Sequence, residues 1–324
     1  MLFKDVFSIS ETTFARAVAN TRASILKHCA CRYCALEKTS LQMCGFYFWD
    51  NSQMALSEIL LVIAALAYLV CGVGIVKVLN SPDAVAPTWL RSIGFVGFAA
   101  HAAGVLTDMF ASEAIRFGFG MAASALLCMA VAIVLVESLV HRINGLMGLV
   151  ITVSAFGTAL PVVFQGELYP AGEWTVLFRV HLLMALAAYA FMTIAVIQAI
   201  LLMRKEREVA NPATLNQGGL ISSMPSLLAM ERILFRIVGC GFVCLTLVLI
   251  LGAMATYELH QTYFIFEHKT ILTWLSWVVF AILLAGRYFL GWRKKKALTW
   301  FWAGIIFLAV AYLVYRFILD AMIH

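Results

Sequence analysis

Two stretches near the end of the chain decide the fold: MPSLLAMERILF at 224–235 and FEHKTILTWLSWVVFAILLAGRYFLGWRKKKA at 266–297. With the apolar run that follows, they form three long apolar segments separated by one acidic, aromatic loop and one tight basic turn. An apolar segment of about 20 residues can cross the ~30 Å hydrocarbon core of a bilayer. It must be helical there, because lipid offers no partner for a bare backbone N–H or C=O. These stretches predict a polytopic membrane protein and place His268 at a membrane edge.

Composition extends this prediction to the whole chain. Of the 324 residues, 63% are hydrophobic and only 12% are charged, whereas roughly a quarter of the residues in soluble domains are charged. We therefore predict an all-α fold, a polytopic transmembrane helical bundle of about eight spans. The predicted spans are 56–79, 89–109, 117–138, 143–164, 176–203, 233–256, 268–290 and 297–319. The one long connection is the polar segment 204–232, and from Ser226 the chain could begin a surface helix that runs into the sixth span.

The distribution of lysine and arginine orients the bundle. When alternate connections are assigned to one side, that side has 13 basic residues and the opposite side has four. Short loops rich in lysine and arginine stay in the cytoplasm. We therefore predict that the loop 204–232 and the basic turn 293–296 are cytoplasmic, and that both ends of the bundle lie outside. The net charge of +6 then reflects membrane topology and is no sign of nucleic-acid binding.

The first 53 residues differ from the rest of the chain. They hold six basic residues and four of the eight cysteines, and no run in them is apolar enough for a signal peptide. With the first span starting outside, this basic segment would have to cross the membrane against the positive-inside bias. Met54 stands directly before the first span. We therefore expect translation to start at Met54, so that 1–53 is a doubtful extension and 54–324 is the membrane domain.

A metal or redox site is the alternative interpretation of the extension. His28, Cys29, Cys31, Cys34 and Cys44 lie close enough in sequence for zinc ligation. However, the cluster has only one CxxC pair and no second pair at an ordinary spacing. The other four cysteines fall inside predicted spans, where cysteine behaves as a small apolar residue.

Two histidines are the main candidates for a functional site. His181 opens the fifth predicted span and His268 opens the seventh, both from the outer side, so they are expected at similar depths. Ionisable groups at membrane depth suggest function, and imidazole is a common axial ligand of haem iron. The pair could reach one ligand if their helices are neighbours. The alternative is that each histidine only caps its helix at the interface.

The loop that precedes the seventh span is aromatic. It contains Tyr263 and Phe266, and Trp274 follows on the helix. A flat porphyrin would pack on such side chains, but an aromatic belt at the interface explains them equally well. His101 lies among small residues in the middle of the second span, with Asp108 seven residues later on the same face, and we interpret it as a packed, hydrogen-bonded core histidine. The sequence shows no phosphate-binding loop, no HExxH and no catalytic triad at a membrane edge.

The second half of the chain resembles the cytochrome c assembly protein superfamily, in the branch of HemX-like and YpjD-like inner-membrane proteins. Four pieces are similar: VHLLMALAAYAFMTIAVIQAILL at 180–202, MPSLLAMERILFRIVGCGFVCLTLVLILGA at 224–253, the stretch 266–297 and the closing span. The most specific parts are His-Lys-Thr at 268–270 and Gly-Trp-Arg at 291–293.

The resemblance implies a bacterial inner-membrane protein that handles haem at its outer face, together with other cytochrome c maturation proteins. His181 falls where the family has a histidine flanking a Trp-rich outer loop. The corresponding loop here, 257–268, has no tryptophan, and Ala285 stands where such relatives have an intramembrane histidine. These departures favour the HemX-like and YpjD-like branch.

Two hypotheses of different classes follow. In the first, the protein is an accessory factor of cytochrome c assembly that binds haem through His181 and His268, with Tyr263, Phe266 and Trp274 as the packing surface. In the second, it is a cofactor-free regulatory or scaffolding protein that acts on a transporter or a haem-synthesis enzyme through its basic face and the loop 204–232. A small-molecule transporter is disfavoured, because no charged residue lies near the centre of several spans.

Overall fold

The computed structural model describes residues 39–79, 87–109, 114–140, 143–164, 166–170, 175–210, 224–262 and 268–311, and the fold is given for these residues. The chain divides into two units, Met1–Ser52 and Gln53–His324, and the second unit is described below. The proposed metal ligands at 28–34 lie outside the described residues. A translation start at Met54 stays a prediction.

The fold is an all-α bundle, as predicted. Its helices are α1 (Thr39–Leu79), α2 (Thr88–Met109), α3 (Phe119–Val140), α4 (Asn144–Gly157), α5 (Leu160–Val163), α6 (Val176–Ala210), α7 (Leu227–His260), α8 (His268–Phe289) and α9 (Lys294–Ala309). Two short strands, β1 (Ala114–Phe117) and β2 (Glu167–Pro170), pair in antiparallel fashion. The strands lie in connections where the sequence alone predicted only loops.

Seven segments of the described chain are long and apolar enough to cross a membrane, and they coincide with the first seven predicted spans. The fourth of them is interrupted, since α4 ends at Gly157 and α5 begins at Leu160 with a proline in its first turn. Proline removes a backbone donor, which explains the break. The eighth predicted span begins as α9, and its last residues, from 312 onward, lie outside the described part.

The side chains of the spans divide into a buried face and an exposed apolar face. One continuous core joins all the long helices and includes Tyr68, Phe280 and Phe301, each at most 2% exposed. On the outer surface of the spans, large apolar side chains such as Leu66 and Val136 are about 60% exposed. Helices that are apolar on both faces are typical of a bundle whose solvent is lipid.

Helix packing places α7 at the centre of the second half of the chain. It packs along most of its length on α6, and its other neighbour is α8, which in turn packs on α9. The first half is joined to the second mainly through α3, which contacts α6. As a result, α6 and α8, the helices that begin near the two candidate histidines, share α7 as a neighbour.

The predicted loop 204–232 is shorter than the sequence suggested. Helix α6 continues to Ala210, and α7 begins at Leu227 with Ser226 before it and runs without a break to His260. At 1.5 Å per residue these helices of 35 and 34 residues are each about 50 Å long, well beyond the ~30 Å hydrocarbon core. Their charged ends therefore continue the bundle past the membrane as a helical pair.

Candidate functional site

The candidate site lies where α6 begins, α7 ends and α8 begins. This end of the bundle is called the histidine end, and the opposite end, where α6 ends and α7 and α9 begin, is called the basic end. His181 lies in the second turn of α6 and is half-buried. Its ring faces Gly252 of α7, where an added Cβ would lie 3.0 Å from the imidazole Cε1. Any larger residue at position 252 would therefore compete with the ring for the same space.

The imidazole of His181 has an unsatisfied nitrogen. Nδ1 is buried and makes no hydrogen bond with any described residue, although the backbone of Val248 borders the ring. The Phe178 ring lies beside it, with centroids 6.4 Å apart and planes tilted by 31°. A buried polar atom without a partner costs about 1–3 kcal/mol. Such an atom usually marks a binding partner, such as a water, an ion or a ligand, or a functional constraint.

The remaining members of the predicted haem site are only partly described. His268 is the first residue of α8, but its side chain lies outside the described set, as do all atoms of Tyr263 and Phe266. His260 ends α7, and its side chain is likewise not described. Ligation by His181 and His268 stays a prediction.

A contact between α7 and α8 sets the relative depths of the two histidines. The indole Nε1 of Trp277 donates a hydrogen bond of 2.9 Å to the Thr246 hydroxyl, so these residues lie at one level. Gly252, which faces His181, is six residues beyond Thr246 and therefore lies about 9 Å from this level along α7. His268 is nine residues before Trp277 and lies about 13 Å from the same level along α8. The backbone of His268 thus begins within about 5 Å of the level of His181.

Trp274 lies between these levels on α8. The residue is 39% exposed, and its ring meets Trp277 edge to face, with centroids 6.0 Å apart. Trp277 in turn stacks on Phe242 of α7 at 5.5 Å. The two tryptophan rings therefore lie in a row that leads from the α7–α8 contact to the protein surface, and Trp274 is the one at the surface.

At the basic end, an ion pair joins α7 to α8. Arg287 Nη1 lies 2.7 Å from Glu231 Oε1 and also donates a hydrogen bond of 2.9 Å to the Trp292 carbonyl. The guanidinium carbon lies 4.6 Å from the centre of the Phe235 ring. This cluster fixes α8 against the start of α7. Sequence reasoning missed it, although a glutamate and an arginine at the same edge of two predicted spans were a usable signal.

The Gly-Trp-Arg motif at 291–293 forms the turn after α8. Gly291 has a φ of 62°, a conformation that glycine adopts without strain. This turn folds Trp292 back on Gly286, where an added Cβ would lie 2.5 Å from the indole. The motif therefore has a structural role in the described residues, namely to seat Trp292 against α8 and to complete the Arg287 cluster.

His101 is a packed core histidine, as predicted, but with different partners. Its Nδ1 lies 3.3 Å from the Tyr68 hydroxyl and its Nε2 lies 2.9 Å from the Ser124 hydroxyl, and all three residues are fully buried. Asp108, which the sequence suggested as a partner, instead pairs with Arg116 at 3.5 Å. His101 therefore joins α1, α2 and α3. Within the described residues, no group of three or more histidine, cysteine or acidic side chains could hold a metal ion.

The fold and the site define a polytopic helical membrane protein with a half-buried histidine at one end of its bundle. This chain belongs to the cytochrome c assembly protein family, whose model matches residues 89–323. The match includes α2 to α9, and therefore His181, Gly252 and His268. It confirms the family resemblance and extends it into the first half of the chain, whereas the HemX-like assignment stays a prediction.

Individual relatives cover only parts of the chain. It is 30% identical over 168 residues to the inner membrane protein YpjD of Escherichia coli strain K12, an alignment that covers 52% of this chain and 61% of YpjD. It is 32% identical over 111 residues to the cytochrome c biogenesis protein CcsA of Gloeothece citriformis, covering 32% of this chain and 34% of CcsA. It is 33% identical over 84 residues to the cytochrome c biogenesis protein CcsA of Rippkaea orientalis, an alignment that covers 26% of this chain and 25% of that CcsA. No solved structure matches the chain.

Proposed function

We propose that this protein is an inner-membrane accessory factor of cytochrome c assembly that binds haem at its outer, periplasmic face. His181 and His268 are the proposed haem ligands, and Tyr263, Phe266 and Trp274 are the proposed packing surface. Membership of the cytochrome c assembly family supports the role in assembly. Similarity to YpjD, an inner membrane protein, supports the inner membrane as the location.

The observation that most supports haem binding is that Nδ1 of His181 has no hydrogen-bond partner among the described residues. An imidazole that is half-buried, seated against a glycine and short of one hydrogen-bond partner fits the environment of a ligating histidine. Ligating imidazoles usually direct their second nitrogen to a backbone carbonyl or a carboxylate. The Val248 backbone beside the ring would supply such a group. The surroundings of His181 therefore fit a role as a haem ligand.

The chain's own residues would bind and orient the cofactor. His181 and His268 would hold the haem through imidazole nitrogens, and the haem would supply an iron that such nitrogens can ligate. Helix α7 holds α6 on one side and α8 on the other, so one helix fixes the depth of both proposed ligands. Trp274, seated on Trp277, would offer an exposed aromatic face two helical turns inside the membrane from His268.

Haem titration of the purified full-length protein tests the proposal. We expect added haemin to give a Soret band that His181→Ala weakens and that His181→Met shifts, since a thioether is an alternative axial ligand. His141→Ala is the matched control, because the sequence places His141 in a turn at the opposite face. A protein that takes up no haem, or a His181→Ala variant with an unchanged spectrum, would rule out this site.

The second candidate function is cofactor-free regulation or scaffolding. The specific support for it is the helical pair beyond the membrane, on which Arg204, Arg207 and Arg232 are exposed. A rigid basic surface of this kind suits an acidic partner, such as another cytochrome c maturation protein. If this function is correct, co-purification of a partner should depend on Arg204 and Arg207 and should be unaffected by His181→Ala.

A further inference from the structure

A cavity of about 220 Å³ lies at the basic end, between α6, α7 and α9. Most of its wall is apolar and includes Leu202, Leu234 and Phe301. Two carboxylates, Glu206 on α6 and Glu231 on α7, also line it. The cavity is thus an apolar chamber with acidic groups on two of its three helices.

The two carboxylates differ in their partners. Glu231 is paired with Arg287 at 2.7 Å, so that pair carries no net charge. Glu206 is half-buried and makes no ion pair with any described side chain. Its neighbour Lys205 is paired with Glu208 instead, at 3.4 Å. Among the described side chains that line the cavity, Glu206 is therefore the carboxylate without an ion-pair partner, and it favours a cationic ligand group.

The cavity lies where all three helices change from charged to apolar. On α6 the apolar run ends after Met203, before Arg204 and Glu206. On α7 the charged residues Glu231 and Arg232 come before the apolar run, and on α9 the lysines come before Ala297, which lines the cavity. This change of polarity marks the level at which lipid head groups meet acyl chains.

Basic residues flank lining residues of the cavity along the chain. Arg232 is exposed and lies one turn after Leu228, a lining residue that is itself 58% exposed. Lys295 and Lys296 are exposed and directly precede Ala297. A molecule in the cavity would therefore meet an acidic group inside, flanking basic residues and apolar walls towards the membrane.

We propose that this cavity binds the head group and upper acyl chain of a phospholipid that carries a primary ammonium group, as phosphatidylethanolamine does. The ammonium has three donors for the Glu206 carboxylate, and the phosphate is complementary to the flanking basic residues. The volume is below the ~300–1,000 Å³ of pockets that enclose a whole drug-sized ligand. The rest of the lipid would therefore remain in the leaflet. This inference does not depend on haem binding, which concerns the other end of the bundle.

Native mass spectrometry of the full-length protein with added lipids tests the proposal. Phosphatidylethanolamine, phosphatidylcholine and phosphatidylglycerol with identical acyl chains would be compared. We expect phosphatidylethanolamine to be retained most strongly, and Glu206→Gln to weaken its binding about tenfold, because a charge-assisted hydrogen bond is lost. Leu228→Trp, which adds bulk at the rim, should also reduce retention.

Glu208→Gln is the matched control, since it removes a carboxylate two residues away that does not line the cavity. Its lipid binding should equal that of the wild type. Equal retention of the three lipids, a preference for phosphatidylglycerol, or unchanged binding in Glu206→Gln would each overturn the proposal. The Soret band serves as an independent readout of the histidine end, so failure here is distinguishable from failure of the haem proposal.

Discussion

Replacing Gly252 with alanine should weaken haem binding while leaving the fold intact. The new Cβ would lie 3.0 Å from Cε1 and 3.4 Å from Nδ1 of His181. Carbon atoms in comfortable contact are about 3.5–4.0 Å apart. The imidazole must therefore move by about 0.5 Å or more. The side chains of a functional site have to be held within about 0.5 Å of their productive positions, so a shift of this size is enough to weaken binding.

Two opposing effects keep the stability change small. Overpacking costs about 1–3 kcal/mol where neighbours cannot move, but His181 is only half-buried and can give way. Exchanging glycine for alanine inside a helix contributes about 1 kcal/mol in the favourable direction. We therefore expect a net destabilisation of about 0–2 kcal/mol, with a loss of haem affinity of about tenfold, equivalent to about 1.4 kcal/mol.

Gly239→Ala on the same helix is a matched control. An added Cβ at Gly239 meets no atom within 4 Å, so this variant gains the helical preference without any clash. Haem titrations followed at the Soret band and thermal unfolding in detergent would be measured for both variants. If Gly252→Ala binds haem as tightly as Gly239→Ala and the wild type, the Gly252 contact does not position a ligating imidazole, and the reasoning fails.

Two further predictions concern stability. Arg287→Met should destabilise the protein by about 3 kcal/mol, because it leaves Glu231 buried without its partner, and adding Glu231→Leu should recover much of the loss. Thermal unfolding of the wild type, the two single variants and the double variant measures the coupling between the two residues. Additive losses of stability would contradict the prediction. His101→Leu should lower the free energy of unfolding by about 2–3 kcal/mol, since it leaves the buried hydroxyls of Tyr68 and Ser124 without the imidazole. Combining it with Tyr68→Phe should cost less than the sum of the two single changes. A loss no greater than that of a substitution at an exposed position would refute the role of His101.

The sequence predicted the spans and most of their ends, but it missed how far α6 continues beyond the apolar run. Seven described spans agree with the apolar runs, since length and hydropathy alone decide which segments fit a bilayer. The end of α6 was misplaced, because charged residues that are poor candidates for a membrane interior are good helix formers in water. The start of α7 directly after Ser226 agrees with the predicted surface helix that runs into the sixth span. The segment 204–210 is therefore helical where polarity suggested a loop.

The sequence indicated only part of the candidate site. His181 stood out as an ionisable residue near the start of an apolar span, but Gly252 is one of 21 glycines and lies 71 residues away on another helix. The same limit applied to His101, for which the sequence offered only Asp108, a residue on its own helix. Its actual partners, Tyr68 and Ser124, come from two other helices.

The sequence by itself determined the class of the protein, its apolar spans, the family resemblance in its second half and the histidines worth considering. These properties depend on local composition, because the bilayer acts on each span separately. The tertiary structure alone decided which residue seats His181, which carboxylate is left unpaired at the basic end and what the Gly-Trp-Arg turn packs against. Each of these depends on how neighbouring helices are rotated and shifted against one another, and packing between distant segments sets those quantities.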